Sequence, residues 1–106
     1  MKVRVVITDD GLRMLEETVE WWTTNRASTI PVFEAEFGDA IQLLHLFPDA
    51  GAMFRRSRLR GVRRLLLSRS LLHVYYLHDR ARRVVFIIGA RLAMRKYPPR
   101  LKSPNA

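Results

Sequence analysis

Apolar and polar positions follow two different rhythms along this chain. Val3-Arg4-Val5-Val6-Ile7 is a short β-branched run and predicts a strand. Thr8-Asp9-Asp10 then supplies a helix N-cap, with acidic side chains at the positive end of the helix dipole. Leu12, Leu15, Val19 and Trp22 recur at helical spacing, with Met14, Thr18 and Trp21 beside them and Glu16, Glu17 and Glu20 on the other face. The pattern predicts an amphipathic helix ending near Asn25. After a linker at Arg26-Ala27-Ser28-Thr29, Ser28 or Thr29 can cap a second helix, and Pro31 suits its first turn. Phe33, Phe37, Ala40, Ile41 and Leu44 form its apolar stripe, Pro48 stops it, and Asp49-Ala50-Gly51 turns the chain.

Beyond Gly51 the rhythm shortens. Val62 to Leu67, Leu71 to Leu77 and Val84 to Ile88 read as strands, separated by Ser68-Arg69-Ser70 and by His78-Asp79-Arg80-Ala81. Connections this short imply antiparallel hairpins. Phe54-Arg55-Arg56 is a candidate for a further edge strand. The expected order is β-α-α-β-β-β(-β), an α+β fold in which an N-terminal antiparallel helical hairpin packs on one face of a twisted, mainly antiparallel sheet. Val3, Val5, Phe33, Phe37, Ile41, Leu65, Val74, Tyr76, Phe86 and Ile88 are the expected core, and the other face takes part of the arginine load. A single domain is expected over residues 1–97, with an irregular proline-rich tail over 98–106 carrying Pro98, Pro99 and Pro104.

Composition narrows the function classes. The 106 residues contain no cysteine, which excludes a disulfide framework and thiolate metal sites and fits a reducing cytoplasm. The opening MKVRVVITDD is too short in apolar length, and broken by Arg4, to read as a signal peptide, and VVFIIGA is too short to span a bilayer. A cytoplasmic protein without membrane contact is therefore expected. The net charge of +9 is unevenly placed: residues 1–50 carry −5 and residues 51–106 carry +14. So dense a basic half repels itself unless a polyanion or an acidic protein meets it, whereas the bland alternative is a solvated basic surface. No Gly-rich phosphate loop, nucleophile elbow or paired acid motif is present, and neither His45 nor His78 has a partner at metal-ligand spacing, so neither cofactor nor metal is expected.

Several local motifs in this order resemble the RelE/ParE superfamily of toxins. They are Glu20-Trp21-Trp22 with Asn25-Arg26, Phe33-Glu34-Ala35-Glu36-Phe37, and Leu43-Leu44 with Phe47-Pro48 leading into Gly51. The sheet adds Gly61-Val62-Arg63-Arg64-Leu65-Leu66-Leu67, His73-Val74-Tyr75-Tyr76, and Arg83-Val84-Val85-Phe86-Ile87-Ile88-Gly89-Ala90-Arg91. The resemblance covers about Val3 to Arg100 and implies the toxin of a type II toxin–antitoxin system, sometimes called a plasmid-stabilisation protein. Such a toxin is neutralised by a cognate antitoxin in a hetero-oligomer. The ParE branch implies a gyrase inhibitor, and the RelE branch a ribosome-dependent mRNA endonuclease, or mRNA interferase.

The site must separate these branches, because one fold serves both. The RelE pattern implies catalytic roles for Arg63, Arg91 and Tyr97. Two departures weaken it: leucine stands where an arginine usually precedes the Val-Tyr pair, and Leu65 stands where a basic residue is expected two positions after Arg63. ParE-like binding of gyrase is therefore the leading expectation, the endonuclease the alternative, and a nontoxic basic module binding nucleic acid or protein the third reading. Arg55, Arg56, Arg58, Arg60, Arg64, Arg91 and Arg95 are the candidate contacts to target or antitoxin. Trp21 and Trp22 point about 100° apart on a helix. One belongs in the core and the other can meet the antitoxin, with Trp22 the expected contact. His73, alternating with Val74, reads as an interior histidine, with a catalytic role as the lesser alternative.

Overall fold

Thr8 joins the first strand to the first helix, and its hydroxyl shows why the chain turns there. In the computed structural model, which describes residues 2–104, β1 (Arg4–Ile7) runs straight into α1 (Asp9–Asn25). Thr8 Oγ1 accepts from Gly11 N at 3.0 Å and donates to Ile87 O at 3.2 Å, so the cap of the helix is also a tie to the sheet. Gly11 itself lies against the carbonyl oxygen of Ile87, where any Cβ would collide. Glycine here lets α1 approach the strand backbone closely.

The remaining elements are α2 (Thr29–Leu46), β2 (Ala52–Met53), β3 (Arg63–Leu67), β4 (Leu72–Asp79) and β5 (Val84–Leu92). They build an α+β fold with one five-stranded sheet ordered β1-β5-β4-β3-β2. β1 pairs in parallel with β5, from Arg4 opposite Val84 to Ile7 opposite Ile87, and all other pairings are antiparallel. No described helix is long and apolar enough to cross a membrane.

Several details differ from the pattern read along the sequence. The edge strand is Ala52–Met53, and Phe54-Arg55-Arg56 lies outside it. Ser28 precedes α2 but sits in the right-handed helical region with no side-chain cap bond, because the linker is a tight turn closed by Thr29 N to Arg26 O and Ile30 N to Ala27 O. β4 continues to Asp79 and β5 to Leu92, so the turn between them is residues 80–83. The buried stripe of α1 is Gly11, Met14, Leu15, Thr18 and Trp22, and Leu12 stands 46% exposed. Met1, Asn105 and Ala106, the last two in the expected tail, lie outside the described residues.

Two apolar clusters form, one on each face of the sheet. The larger gathers Leu15 and Trp22 from α1, Phe33, Ala40 and Leu44 from α2, and Leu72, Val74, Tyr76, Val85 and Ile87 from the strands. Trp22 and Phe33 rings meet at 5.2 Å, and Phe33 and Phe37 stack at 5.4 Å. The smaller cluster, Phe54, Val62, Tyr75 and Ile88, occupies the opposite face with Leu59, Leu77, Phe86 and Leu101 packed against it. Phe86 and Ile88 therefore belong to this second core and not to the one beneath the helices. The tail contributes to it through Leu101, although the described tail forms no helix or strand.

Polar ties hold the helices to the sheet. The Glu36 carboxylate on α2 accepts from Arg69 N at 2.8 Å and Ser70 N at 2.7 Å, capping the β3–β4 turn. His45 Nδ1 donates to Val3 O at 2.7 Å while Val3 N donates to His45 O at 3.0 Å, latching the end of α2 to the start of the sheet. Buried Tyr76 accepts from Gly51 N at 2.8 Å, and a Cβ on Gly51 would meet that phenol at 2.8 Å. Asp49 accepts from His78 Nδ1 at 3.0 Å and from Arg80 Nη2 at 2.6 Å.

Stability should follow these ties. Tyr76→Phe leaves the buried Gly51 N–H without its acceptor and should cost about 1–3 kcal/mol in urea denaturation. Glu36→Gln should cost about 1–2 kcal/mol, less than a fully buried charged acceptor because the carboxylate is partly exposed. Both acids are held below their ordinary values. For Asp49 the hydrogen bond from His78 is the main cause; for Glu36, burial opposes the shift but the amides of Arg69 and Ser70 outweigh it. Their contribution is thus complete above the ordinary values of 4.5 and 3.8 and is lost as pH falls through the folded ones. The urea midpoint should drop on acidification below about pH 4.5, and drop less in Glu36→Gln; a midpoint flat to pH 3 would contradict this assignment.

Candidate functional site

Strand alternation gives the face away from the helices a row of polar side chains. On β3 and β4, Leu65, Leu67, Leu72, Val74 and Tyr76 turn toward the helices, so Arg64, His73 and Tyr75 turn away. Register then sets Arg64 opposite Tyr75, and His73 opposite Arg91 of β5. Arg91 reaches this face through a bulge. Tyr75 pairs with Gly89 but Tyr76 pairs with Ile87, so Ile88 is the extra residue and the phase of β5 reverses beyond it. Val85 and Ile87 before the bulge, and Ala90 and Leu92 after it, all join the helix-side core. Strict alternation from Ile87 would have turned Arg91 toward the helices.

Neighbouring segments complete the site. The loop after β2 brings Arg56, and the chain after β5 brings Arg95, Lys96 and Tyr97. With Arg64, His73, Tyr75 and Arg91 they line a recess of about 130 Å³. Among the described residues, five cationic side chains line it and no carboxylate does, which suits it to an anion. Its floor is aromatic. Phe54 meets Tyr75 edge-on at 5.0 Å, and Tyr75 meets the His73 ring at 6.2 Å. The Arg64 guanidinium lies over the Phe54 ring at 4.9 Å, a cation–π contact that favours this position. Lys96 Nζ lies 5.4 Å from the centre of the Tyr97 ring, and Arg91 Nη1 lies 3.5 Å from the Tyr97 carbonyl oxygen.

His73 is pushed below its ordinary value, first by burial and then by the positive charge of Arg64. Both causes favour the neutral imidazole, the form that has a lone pair to offer as a base. A neutral base among fixed guanidinium groups suits chemistry at a phosphodiester: cations hold the phosphate, and the base takes a proton from a nearby hydroxyl.

The sequence candidates divide. Arg56, Arg64, Arg91, Arg95 and Tyr97 come together in the recess. Arg55, Arg58 and Arg60 lie exposed on the segment leading to β3 and do not line it. Arg63 lies on the helix side, opposite Tyr76, where Nη1 donates to Gly51 O at 2.8 Å and Asp49 O at 3.3 Å. It is not brought to Arg91 and Tyr97; its bonds anchor the turn before β2. Trp22 is 1% exposed and packed in the core, so its ring has no surface to offer a partner, and the partly buried member of the pair is Trp21. Lys96 is a site residue that nothing in the sequence singles out, and His73, whose leading sequence reading is an interior histidine, joins the recess as well. The signal for His73 was its place one residue before Val74, on the same face as whichever of Arg63 and Arg64 points outward.

No family model matches the chain, and no curated protein is significantly similar to it in sequence.

The electrostatics of the recess give a direct spectroscopic expectation. The His73 ring, followed by proton NMR, should titrate below 6.5. In Arg64→Gln the midpoint should rise toward 6.5, because one of its two causes is removed, without reaching it, because burial remains. A His73 midpoint above 6.5 in the wild-type chain would overturn this picture of the site.

Proposed function

We propose that this protein is a growth-inhibiting toxin of the RelE/ParE kind, and that the recess on the open sheet face grips a phosphodiester of an RNA target and cuts it. The observation that carries the reading is the His73 imidazole, biased toward its neutral form by burial and by Arg64, lying opposite Arg91 in a recess that five cationic side chains line. His73 takes the proton from a ribose 2′-OH, whose oxygen attacks the adjacent phosphorus. Arg64 and Arg91 stabilise the added negative charge. The bond from phosphorus to the 5′ oxygen breaks, leaving a 2′,3′-cyclic phosphate and a 5′-OH, with Tyr97 on the rim as the candidate donor of the final proton. The order of elements and the motif resemblance support the wider family reading, and with it a cognate antitoxin that neutralises the chain in a hetero-oligomer. Such a partner would relieve the crowding of fifteen basic residues in the second half.

A ParE-like reading, in which the same face inhibits gyrase without cutting nucleic acid, is favoured by one different feature. Leu66 and Met94 are large exposed apolar side chains, Leu66 on this face opposite His73 and Met94 in the segment just after β5. A mixture of apolar and cationic side chains suits a protein surface. On either reading the recess is the business end, and its variants tell the two apart.

Controlled expression should stop growth, and co-expression of the neighbouring gene's product should restore it. Mapping RNA ends should reveal cuts bearing 5′-OH ends. Arg91→Ala and Arg64→Ala should abolish toxicity, whereas Arg63→Met should lower stability and leave the cleavage pattern unchanged. His73→Ala should slow cleavage by roughly 10²–10⁴-fold, the usual contribution of a positioned general base. Toxicity without RNA cuts, accompanied by loss of gyrase supercoiling activity in vitro, would assign the ParE mode instead. Full growth on high expression without the neighbour would remove the toxin reading altogether.

A further inference from the structure

A second depression lies where the sheet edge is left open. β1 pairs with β5 only as far as Ile87, and beyond it α1 takes over that flank. Between α1 and the end of β5 there is a groove of about 400 Å³, large enough for a small ligand. Met14, Trp21 and Leu92 supply its apolar surface, and Arg91, Arg95 and Arg100 its charge. Arg91, Leu92 and Arg95 also line the recess described above, so the two depressions share one wall. Arg13 and Glu17 complete the groove's outer side. They are bonded to each other at 2.7 Å, and Arg13 also to Asp10 at 2.7 Å, so this pair is largely neutralised.

We propose that this groove is a nucleotide subsite, in which a base flanking the bound phosphodiester stacks on the indole of Trp21 while its phosphate is held by Arg95 and Arg100. The inference rests on the phosphodiester reading of the recess and extends it to the neighbouring nucleotide. Continuity carries it: a strand leaving the recess over Arg91 and Arg95 enters the groove directly. The chemistry of the lining carries it further. A phosphate alone needs only cations, and an acidic peptide gains little from an aromatic plate, whereas a nucleotide pairs a charged phosphate with a flat apolar base. Aromatic plates beside cationic tracks are how single-stranded nucleic acid is held without regard to sequence. Trp21 is the member of the Trp21-Trp22 pair that the fold leaves partly open; Trp22 is sealed in the core.

That difference makes the test direct. The full chain is titrated with a fluorescein-labelled 2′-O-methyl oligouridylate, which cannot be cleaved; anisotropy of the label gives the affinity of every variant, and tryptophan emission is followed alongside. Quenching should occur, and it reports Trp21 because Trp22 is enclosed. Trp21→Leu should weaken binding roughly tenfold and leave the salt dependence unchanged, since no phosphate contact is lost. Trp21→Phe, which keeps a ring, should recover most of the affinity, so a folding defect cannot imitate the result. Arg100→Gln should instead flatten the slope of log K against log salt by about 0.7. An abasic oligomer should bind wild-type and Trp21→Leu chains equally.

Unquenched binding that ignores Trp21→Leu but is lost in Arg91→Ala would overturn the subsite and leave the recess standing. An oligomer that does not bind at all would overturn both. Quenching by polyglutamate but not by the oligomer would give the groove to an acidic protein and would likewise overturn the inference.

Discussion

The extra residue in β5 is the constraint on which the basic face depends. Because side chains alternate with a period of two, inserting Ile88 between the partners of Tyr75 and Tyr76 reverses every side chain beyond it. Ala90 and Leu92 then serve the helix-side core, and Arg91 is sent to the same face as Arg64 and His73. Without that slip the last strand would present Arg91 to the helix-side core, where a guanidinium is costly to bury. Bulges often re-aim a side chain beside a functional site, and here the re-aimed side chain is shared by both depressions.

A sheet with apolar clusters on both faces explains how so basic a surface stays rigid. Helices cover one face. On the other, Phe54, Val62, Tyr75 and Ile88 form a second small core at whose margin the arginines stand. Phe54 is the hinge between the two roles: its ring packs on Tyr75 and also carries the Arg64 guanidinium. Apolar burial thereby holds a charged group in place without neutralising it. The few acidic side chains are used elsewhere. Asp49 draws in Arg63, His78 and Arg80, and Glu36 caps a turn, so the ion pairs reinforce the scaffold and leave the recess cationic.

Much of the scaffold was legible along the chain because its signals are local. The Thr8 cap, the 3.6-residue stripes, the stop at Pro48 and the β-branched runs depend on near neighbours, and they place one strand and two helices before the strands of a mainly antiparallel sheet. The misjudged residues are those whose fate depends on distant ones. Nothing local distinguishes Arg63 from Arg64, since alternation requires only that they point oppositely. Pairing with β4 decided that Arg63 faces Tyr76 and the Asp49 turn. The same holds for Trp21 and Trp22, separated by where α1 meets Phe33 of α2.

By itself, then, the amino-acid sequence determined the elements, their order, the fold class and the concentration of positive charge in the second half, because periodicity, capping and composition are properties of neighbouring residues. Only the tertiary structure decided which arginines meet, that His73 stands among them with its charged form disfavoured, and that the tail packs on a second core through Leu101. Those outcomes rest on strand register and on one bulge, and register is set by pairing between segments far apart in the chain.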